Sequence, residues 1–276
     1  MRRSTLVAMT AALAIGILSI APALASAYAP ADQATIHPGI QTETQGSGQC
    51  TANFVFTRGA DTYLGQAAHC SSTGAATDTD GCSSQSLPLG TKVGLVGSGA
   101  TGTMVYNSWL TMQAKGESDP DTCAYNDIAL VKIDPADVGK VNPSVPGYGG
   151  PTGVGGASAT GDDVFSYGNS SLRGGITQLS PKQGKVVSTE GNGWSRTVYT
   201  VTPGIPGDSG SGFLDANGAA IGVLSTVALA PLAGSNGVGD LGREIDYANA
   251  NGFSGLSLAN GTERFTGDVV GAIVGG

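Results

Sequence analysis

The amino-acid sequence predicts an all-β fold, either a barrel or a sandwich. Glycine accounts for 45 of the 276 residues, and short runs rich in Val, Ile, Thr and Tyr alternate with turn signals. Asn217-Gly218, between two apolar runs, is typical of a type I′ β-hairpin. The 40% of hydrophobic residues, with only 12% charged, are enough for a packed core. Further strands are expected at 51–57, 62–66, 92–96, 103–109, 128–133, 164–167 and 197–201.

Residues 1–27 have the layout of a secretory signal peptide. Arg2 and Arg3 precede an apolar stretch at 6–21, and the small residues 25–27 follow it. We therefore expect cleavage after Ala27 and a secreted, extracellular protein. The alternative is a membrane anchor, but the apolar stretch is shorter than a typical membrane span.

The charge of the chain limits its partners. The segment 1–27 contains two arginines and no acidic residue, so its removal changes the net charge from -8 to -10. An acidic surface repels nucleic acid and anionic lipid. The expected partner is a protein or peptide substrate, with no nucleic acid, no membrane after signal cleavage, and a monomeric state. No sequence pattern indicates a cofactor or a metal site.

The four cysteines predict two disulfides, because an exported protein folds in an oxidising environment. Four cysteines allow three connectivities. Cys50 and Cys70 flank two strand-like runs that are joined by a turn at 58–61, and a hairpin there would bring them together. This pairing, Cys50–Cys70, leaves Cys82–Cys123. Metal binding is less favoured, because the cysteines lack CxxC spacing.

One helix and one linker interrupt the β pattern. Asp240 can cap a helix in which Leu241, Ile245 and Ala248 share a face, and Asn251-Gly252 ends it. Residues 135–162 are rich in Pro and Gly with little periodicity, which is typical of a linker. The expected divisions are a leader at 28–48, a first half at 49–140, a linker at 141–162, a second half at 163–262 with the helix near 240–250, and a tail at 263–276.

Three polar residues form a candidate catalytic set. Ser209 lies in the glycine-dense turn 206–212, and His69 and Asp127 precede it in that order. A serine hydroxyl needs an imidazole to take its proton, and the imidazole needs a carboxylate to fix its tautomer. Separately, Ser209 and Asp127 could be ordinary turn residues and His69 a buried core residue. Their joint occurrence favours nucleophilic catalysis.

The motifs that contain these residues resemble those of secreted bacterial serine proteases of the chymotrypsin fold. The matching segments are Ala-Ala-His-Cys at 67–70, Asn-Asp-Ile-Ala-Leu at 126–130 and Gly-Asp-Ser-Gly at 207–210. Cys50 matches the family's partner for the cysteine after the histidine. The order His, Asp, Ser differs from that of subtilisins and α/β-hydrolases. The resemblance extends over roughly residues 45 to 250, and it implies two six-stranded antiparallel β-barrels with the active site between them.

The resemblance also implies roles for individual residues. His69 would be the general base, Asp127 would orient it, and Ser209 would be the nucleophile that forms an acyl-enzyme. The backbone N–H groups of Gly207 and Ser209 would form the oxyanion hole. Ser225 matches the serine that supports the catalytic aspartate. The implied substrate-binding residues are Pro203, Gly204, Ser225, Thr226 and Val227.

The sequence departs from the family pattern in two places. The run at 203–206 has no acidic residue, so we expect the enzyme not to select basic P1 residues. No Ile-Val-Gly-Gly-like start lies near the mature N-terminus to pair with Asp208, and Arg173 is a candidate partner instead. Two alternative functions remain, a catalytically silent binding or adhesion protein on the same scaffold and an esterase that uses the same site.

Overall fold

The computed structural model describes residues 28–227 and 233–275. The predicted signal peptide lies outside the described residues. The strands are β1 Gln41–Thr44, β2 Gln49–Thr51, β3 Val55–Arg58, β4 Asp61–Gln66, β5 Lys92–Leu95, β6 Ala100–Asn107, β7 Ala129–Lys132, β8 Asp163–Tyr167, β9 Pro181–Glu190, β10 Ser195–Thr200, β11 Gly212–Asp215, β12 Ala220–Val227, β13 Asn236–Asp240 and β14 Ser257–Leu258.

The first sheet contains eight antiparallel strands in the order β14-β3-β4-β7-β6-β5-β1-β2. Only three residues, 52–54, separate β2 from β3. Two of them continue the pairing with β4, because Asn53 N–H donates to Gly65 O and Gly65 N–H donates to Phe54 O, both at 2.9 Å. The sheet therefore curls round on itself, and β14 is added at its edge beside β3.

The second sheet is a closed six-stranded barrel in the order β10-β13-β12-β11-β8-β9. Its interior is filled by side chains that point inward from every strand, and closure leaves no unpaired edge. These core residues are Val164, Val186, Val198, Phe213, Ile221, Leu224 and Val238. The predicted all-β fold is confirmed, with a closed six-stranded second barrel, but the first sheet has eight strands instead of the six expected.

Four α-helices are present among the described residues: α1 Ser108–Lys115, α2 Pro120–Tyr125, α3 Leu241–Ala250 and α4 Val269–Gly275. The predicted helix near 240–250 is α3, and the Asp240 side chain accepts a hydrogen bond from Arg243 N–H at 2.9 Å. The strand expected at 103–109 instead ends at Asn107. The Asn107 side chain accepts from Leu110 N–H and starts α1.

The two sheets begin and end at positions that differ from the expected divisions. Strand β1 belongs to the first sheet, although the sequence placed residues 28–48 in a leader. Strand β14 also joins the first sheet, although it was expected in the second half. The chain therefore passes between the two sheets twice, once through 141–162 and once after α3.

Both expected disulfides are present. Cys50 and Cys70 have Cα atoms 6.0 Å apart, and Cys82 and Cys123 have Cα atoms 5.1 Å apart. The described side chains that come together with ligand-like spacing include these cysteines, with His69 in one group and Asp80 in the other. Because their sulfurs are in disulfides, these cysteines are not thiolate ligands for a metal.

None of the helices within 28–227 and 233–275 is both long enough and apolar enough to cross a membrane.

We predict that the double substitution Cys82→Ala/Cys123→Ala lowers the free energy of unfolding by about 4 kcal/mol, because the bridge closes a loop of 41 residues. Urea denaturation of wild type and variant measures this difference. The pair Cys50→Ala/Cys70→Ala, which opens a loop of 20 residues, should cost about 3 kcal/mol. Equal midpoints for wild type and the first variant would contradict the prediction.

Candidate active site

His69 and Asp127 meet at adjacent ends of two paired strands. His69 follows β4 in a single turn of 3-10 helix, Ala68–Ser71, and Asp127 lies just before β7. Because β4 pairs with β7, these two strand ends lie side by side. The Asp127 carbonyl accepts a hydrogen bond from Ala68 N–H at 3.2 Å. The backbone itself therefore places the imidazole beside the carboxylate.

The Asp127 carboxylate is buried and accepts three hydrogen bonds. Oδ1 accepts from the backbone N–H of His69 at 2.9 Å, and Oδ2 lies 2.7 Å from His69 Nδ1. The Ser225 hydroxyl, on β12 of the second barrel, donates to the same Oδ2 at 2.5 Å. The carboxylate thus fixes the orientation of the ring, with Nδ1 toward Asp127 and Nε2 on the opposite side.

Two opposing effects act on the pKa of His69. Burial lowers it, whereas the charge of Asp127 and its hydrogen bond raise it, and the net result is a pKa above the ordinary value of 6.5. Asp127 therefore stabilises the protonated, imidazolium form of His69. This is the form that a general base adopts after it has taken a proton.

The turn that contains Ser209 packs against two parts of the first sheet, the end of β2 at Thr51 and the segment that joins β4 to His69. The Ser209 carbonyl accepts from Thr51 N–H at 2.8 Å. Gly210 has a φ of +87°, and a Cβ there would lie 2.6 Å from Thr51 O and 2.8 Å from Ala67 N. Only glycine permits this close approach. Within the described residues, no hydrogen bond joins Ser209 Oγ to the His69 ring.

The backbone around Ser209 leaves two amide donors unused. Gly207, with a φ of +95°, directs its carbonyl to the first sheet, where it accepts from Thr51 Oγ1 at 2.8 Å and Gln49 Nε2 at 2.9 Å. Neither Gly207 N–H nor Ser209 N–H donates to another described residue. Such a pair of free donors, fixed by the turn, is what an oxyanion hole requires.

Asp208, between these two amides, is completely buried and has two cationic partners. It forms an ion pair with Arg173, the candidate from the sequence, and another with Lys182 Nζ at 3.0 Å. Burial lowers the pKa of Lys182 to about 8, although Asp208 opposes this effect. Ser170 N–H and Ile205 N–H also donate to the Asp208 carboxylate. The turn is therefore fixed by buried ion pairs and by hydrogen bonds to the Asp208 carboxylate.

The expected substrate-binding residues lie on two sides of this turn. Gly204 N–H donates to Asn236 Oδ1 at 2.8 Å, and the Pro203 carbonyl accepts from Arg173 at 3.2 Å. Ser225 and Thr226 line a cavity of about 460 Å³ that extends toward Tyr125 and Glu190. Val227 is the last residue of β12, and its side chain lies outside what the structure describes.

Two residues near the site were not predicted from the sequence. Lys182 pairs with Asp208, and Glu244 on α3 accepts a hydrogen bond from Asp127 N–H at 3.1 Å. The helical pattern contained a signal for Glu244, because it lies on the same face of α3 as Leu241 and Ala248. An acidic residue at a position of the apolar face indicates a buried polar contact.

Solved structures of bacterial serine proteases have the same fold. Thermobifida fusca protease A matches with a TM-score of 0.53 and 21% identity, over 82% of this chain and 99% of the protease. Cellulomonas bogoriensis chymotrypsin matches with a TM-score of 0.50 and 17% identity, over 81% of this chain and 98% of the chymotrypsin. A glutamic acid specific serine protease matches with a TM-score of 0.50 and 18% identity, over 81% of this chain and 100% of the protease. No protein-family model and no curated protein matches the sequence.

The chain therefore has the fold of chymotrypsin, as its sequence motifs predicted. Nearly the full length of each of these proteases is represented in it.

We predict that the two histidines titrate on opposite sides of pH 6.5. The pKa of His69 lies above this value because of Asp127, whereas burial lowers the pKa of His37 below it. Asp127→Asn should move only the pKa of His69, to below 6.5, because burial then acts without the opposing charge. NMR titration of ¹⁵N-histidine-labelled protein measures both. A His69 pKa that is unchanged in the variant would contradict the assignment.

Proposed function

We propose that the protein is a serine endopeptidase that cleaves peptide bonds through Ser209, His69 and Asp127. The observation that supports this most is the hydrogen-bonded set of His69, Asp127 and Ser225, which lies beside a serine turn with two free amides. The similar solved structures, which are proteases, support the same conclusion.

The proposed chemistry follows from the roles of these groups. Ser209 Oγ attacks the scissile carbonyl while His69 Nε2 takes its proton, and Asp127 stabilises the imidazolium. Gly207 N–H and Ser209 N–H donate to the oxyanion of the tetrahedral intermediate, and such donors contribute about 3 to 4 kcal/mol. His69 then gives its proton to the leaving amine. Water hydrolyses the acyl-enzyme by the same steps in reverse.

The protein is proposed to act outside the cell as a monomer on protein or peptide substrates. Its signal-like segment at 1–27 and its two disulfides support export. The ion pairs of Asp208 with Arg173 and Lys182 support an active conformation that does not depend on a freed N-terminus.

The proposed enzyme does not select basic P1 side chains. Pro203 and Gly204 bring no carboxylate, and both Arg173 and Lys182 Nζ lie within hydrogen-bond distance of the Pro203 carbonyl. Because both cations are paired with Asp208, the run at 203–206 offers a basic P1 group no free carboxylate as a counter-charge.

We predict that a phosphonate reagent labels Ser209 and that Ser209→Ala lowers kcat by about a million-fold, because the variant removes the proposed nucleophile. Intact-mass and peptide mass spectrometry locate the label. Ser211→Ala is the matched control in the same turn. Its hydroxyl is buried without a hydrogen-bond partner among the described residues, so its loss should leave activity intact.

The same experiment separates the alternative functions. Folded protein with no label at Ser209 would indicate a catalytically silent binding or adhesion protein. A label at Ser209 together with ester hydrolysis, but without cleavage of any peptide, would indicate an esterase.

We also predict that kcat/KM for peptides with Ala, Leu or Phe at P1 exceeds that for Arg or Lys by about tenfold or more, which corresponds to about 1.4 kcal/mol. The difference arises because the basic side chain would lose its hydration without gaining a carboxylate partner from the run at 203–206. A series of peptides that differ only at P1 measures it. Equal or higher kcat/KM for Arg would contradict the proposed specificity.

A further inference from the structure

A buried glutamate lies behind the proposed catalytic aspartate. Glu244 belongs to α3, which follows the second barrel, and its side chain is 0% exposed. Its Oε1 accepts a hydrogen bond from the backbone N–H of Asp127 at 3.1 Å. Its Oε2 has no hydrogen-bond partner among the described residues. Gly239 leaves room for this side chain, because a Cβ there would lie 2.8 Å from Oε1.

The backbone of Asp127 is thus fixed on both sides. Its carbonyl accepts from Ala68 N–H, and its N–H donates to Glu244. The same peptide is also held through the Asn126 carbonyl, which accepts from Ser108 Oγ at 2.8 Å, whereas both polar atoms of the Asn126 side chain are buried without a partner among the described residues. Glu244 and Ser108 therefore restrict the rotation of the peptide that precedes the Asp127 carboxylate, one at its N–H and the other at its carbonyl.

The surroundings of Glu244 disfavour its ionised form. Burial is the largest effect, and it raises the pKa of Glu244 well above its ordinary value of 4.5. The hydrogen bond from Asp127 N–H lowers this pKa, whereas the charges of Asp127 and Asp240 raise it further. The charge of Arg196 also lowers the pKa, but its guanidinium already donates to Asp240 Oδ2 at 2.5 Å and to Ile221 O at 2.6 Å.

We propose that Glu244 is a positioning residue of the active site that works in its uncharged form, with one carboxyl oxygen holding the Asp127 N–H so that the carboxylate stays aligned with His69. This proposal rests on the proposed protease function. Glu244 touches neither substrate nor the reacting atoms, so it acts through Asp127 alone. An amide oxygen at this position could accept the same hydrogen bond from Asp127 N–H, whereas an apolar side chain could not.

Two variants separate the hydrogen bond from the charge. Glu244→Gln keeps an acceptor of the same shape, and we expect its kcat/KM to remain within about threefold of wild type. Glu244→Leu removes the acceptor, and we expect kcat to fall about 10- to 100-fold with KM within about twofold, because a small misplacement of catalytic groups lowers the rate of the chemical step. Equal kcat values for the two variants would overturn the proposal.

The NMR titration of His69 tests the protonation state without any activity measurement. If Glu244 is uncharged, Glu244→Gln removes no charge near the pair, and the pKa of His69 stays where it is in wild type. If Glu244 were ionised, the same variant would remove a negative charge, and the pKa of His69 would fall. Such a fall would overturn the proposal even if the protein proved not to be a protease.

Stability against pH gives a second test of the same state, in a Ser209→Ala background that prevents self-cleavage. Above pH 4.5 the unfolded chain ionises Glu244 while the folded protein does not, so wild type loses stability as pH rises toward the folded-state pKa. Glu244→Gln has no such loss. Urea midpoints should therefore favour the variant more at pH 7 than at pH 4. A variant that is relatively less stable at pH 7 would overturn the proposal, and this comparison needs no folded Glu244→Leu protein.

Discussion

The Asp127 carboxylate is the interaction on which the geometry of the site depends. A buried carboxylate is costly unless hydrogen-bond donors surround it. Here the donors come from both sheets, with His69 on the first and Ser225 on the second. Satisfying this one charge therefore holds the first sheet and the second barrel together at the position where the imidazole lies beside the carboxylate.

The serine turn depends on the same meeting of the two sheets. Thr51 and Gln49 from the first sheet bind the carbonyl of Gly207, while Asp208 is anchored by Arg173 and Lys182 in the second. The disulfide Cys50–Cys70 ties the Thr51 strand to the turn of His69. His69 and Ser209 are thus attached to the same part of the first sheet, although 140 positions in the numbering separate them.

Much of the fold could be predicted from the sequence, because glycine-rich turns and short apolar runs are local signals. Helix α3 could be predicted from its capping residue and its periodicity, and the disulfides from the positions of the cysteines. Lys182 could not be assigned, because only the tertiary environment distinguishes a buried ionisable side chain from an exposed one. For Glu244 the helical pattern indicated burial, but its contact with Asp127 joins residues that are distant in the chain. The extent of the first sheet was missed for a related reason: β1 and β14 are short, and their partners are distant in the chain.

The double passage of the chain between the sheets affects how the molecule responds to cleavage. A single cut in the exposed stretch around residues 156–162 would separate the polypeptide into two pieces, but β14 would still pair with β3 across them. Leu256 and Ala259, which flank β14, are buried as well. The two pieces of the cleaved protein would stay associated, because β14 on the second piece pairs with β3 on the first. The arrangement of His69, Asp127 and Ser225 would therefore be kept after the connecting chain is cut.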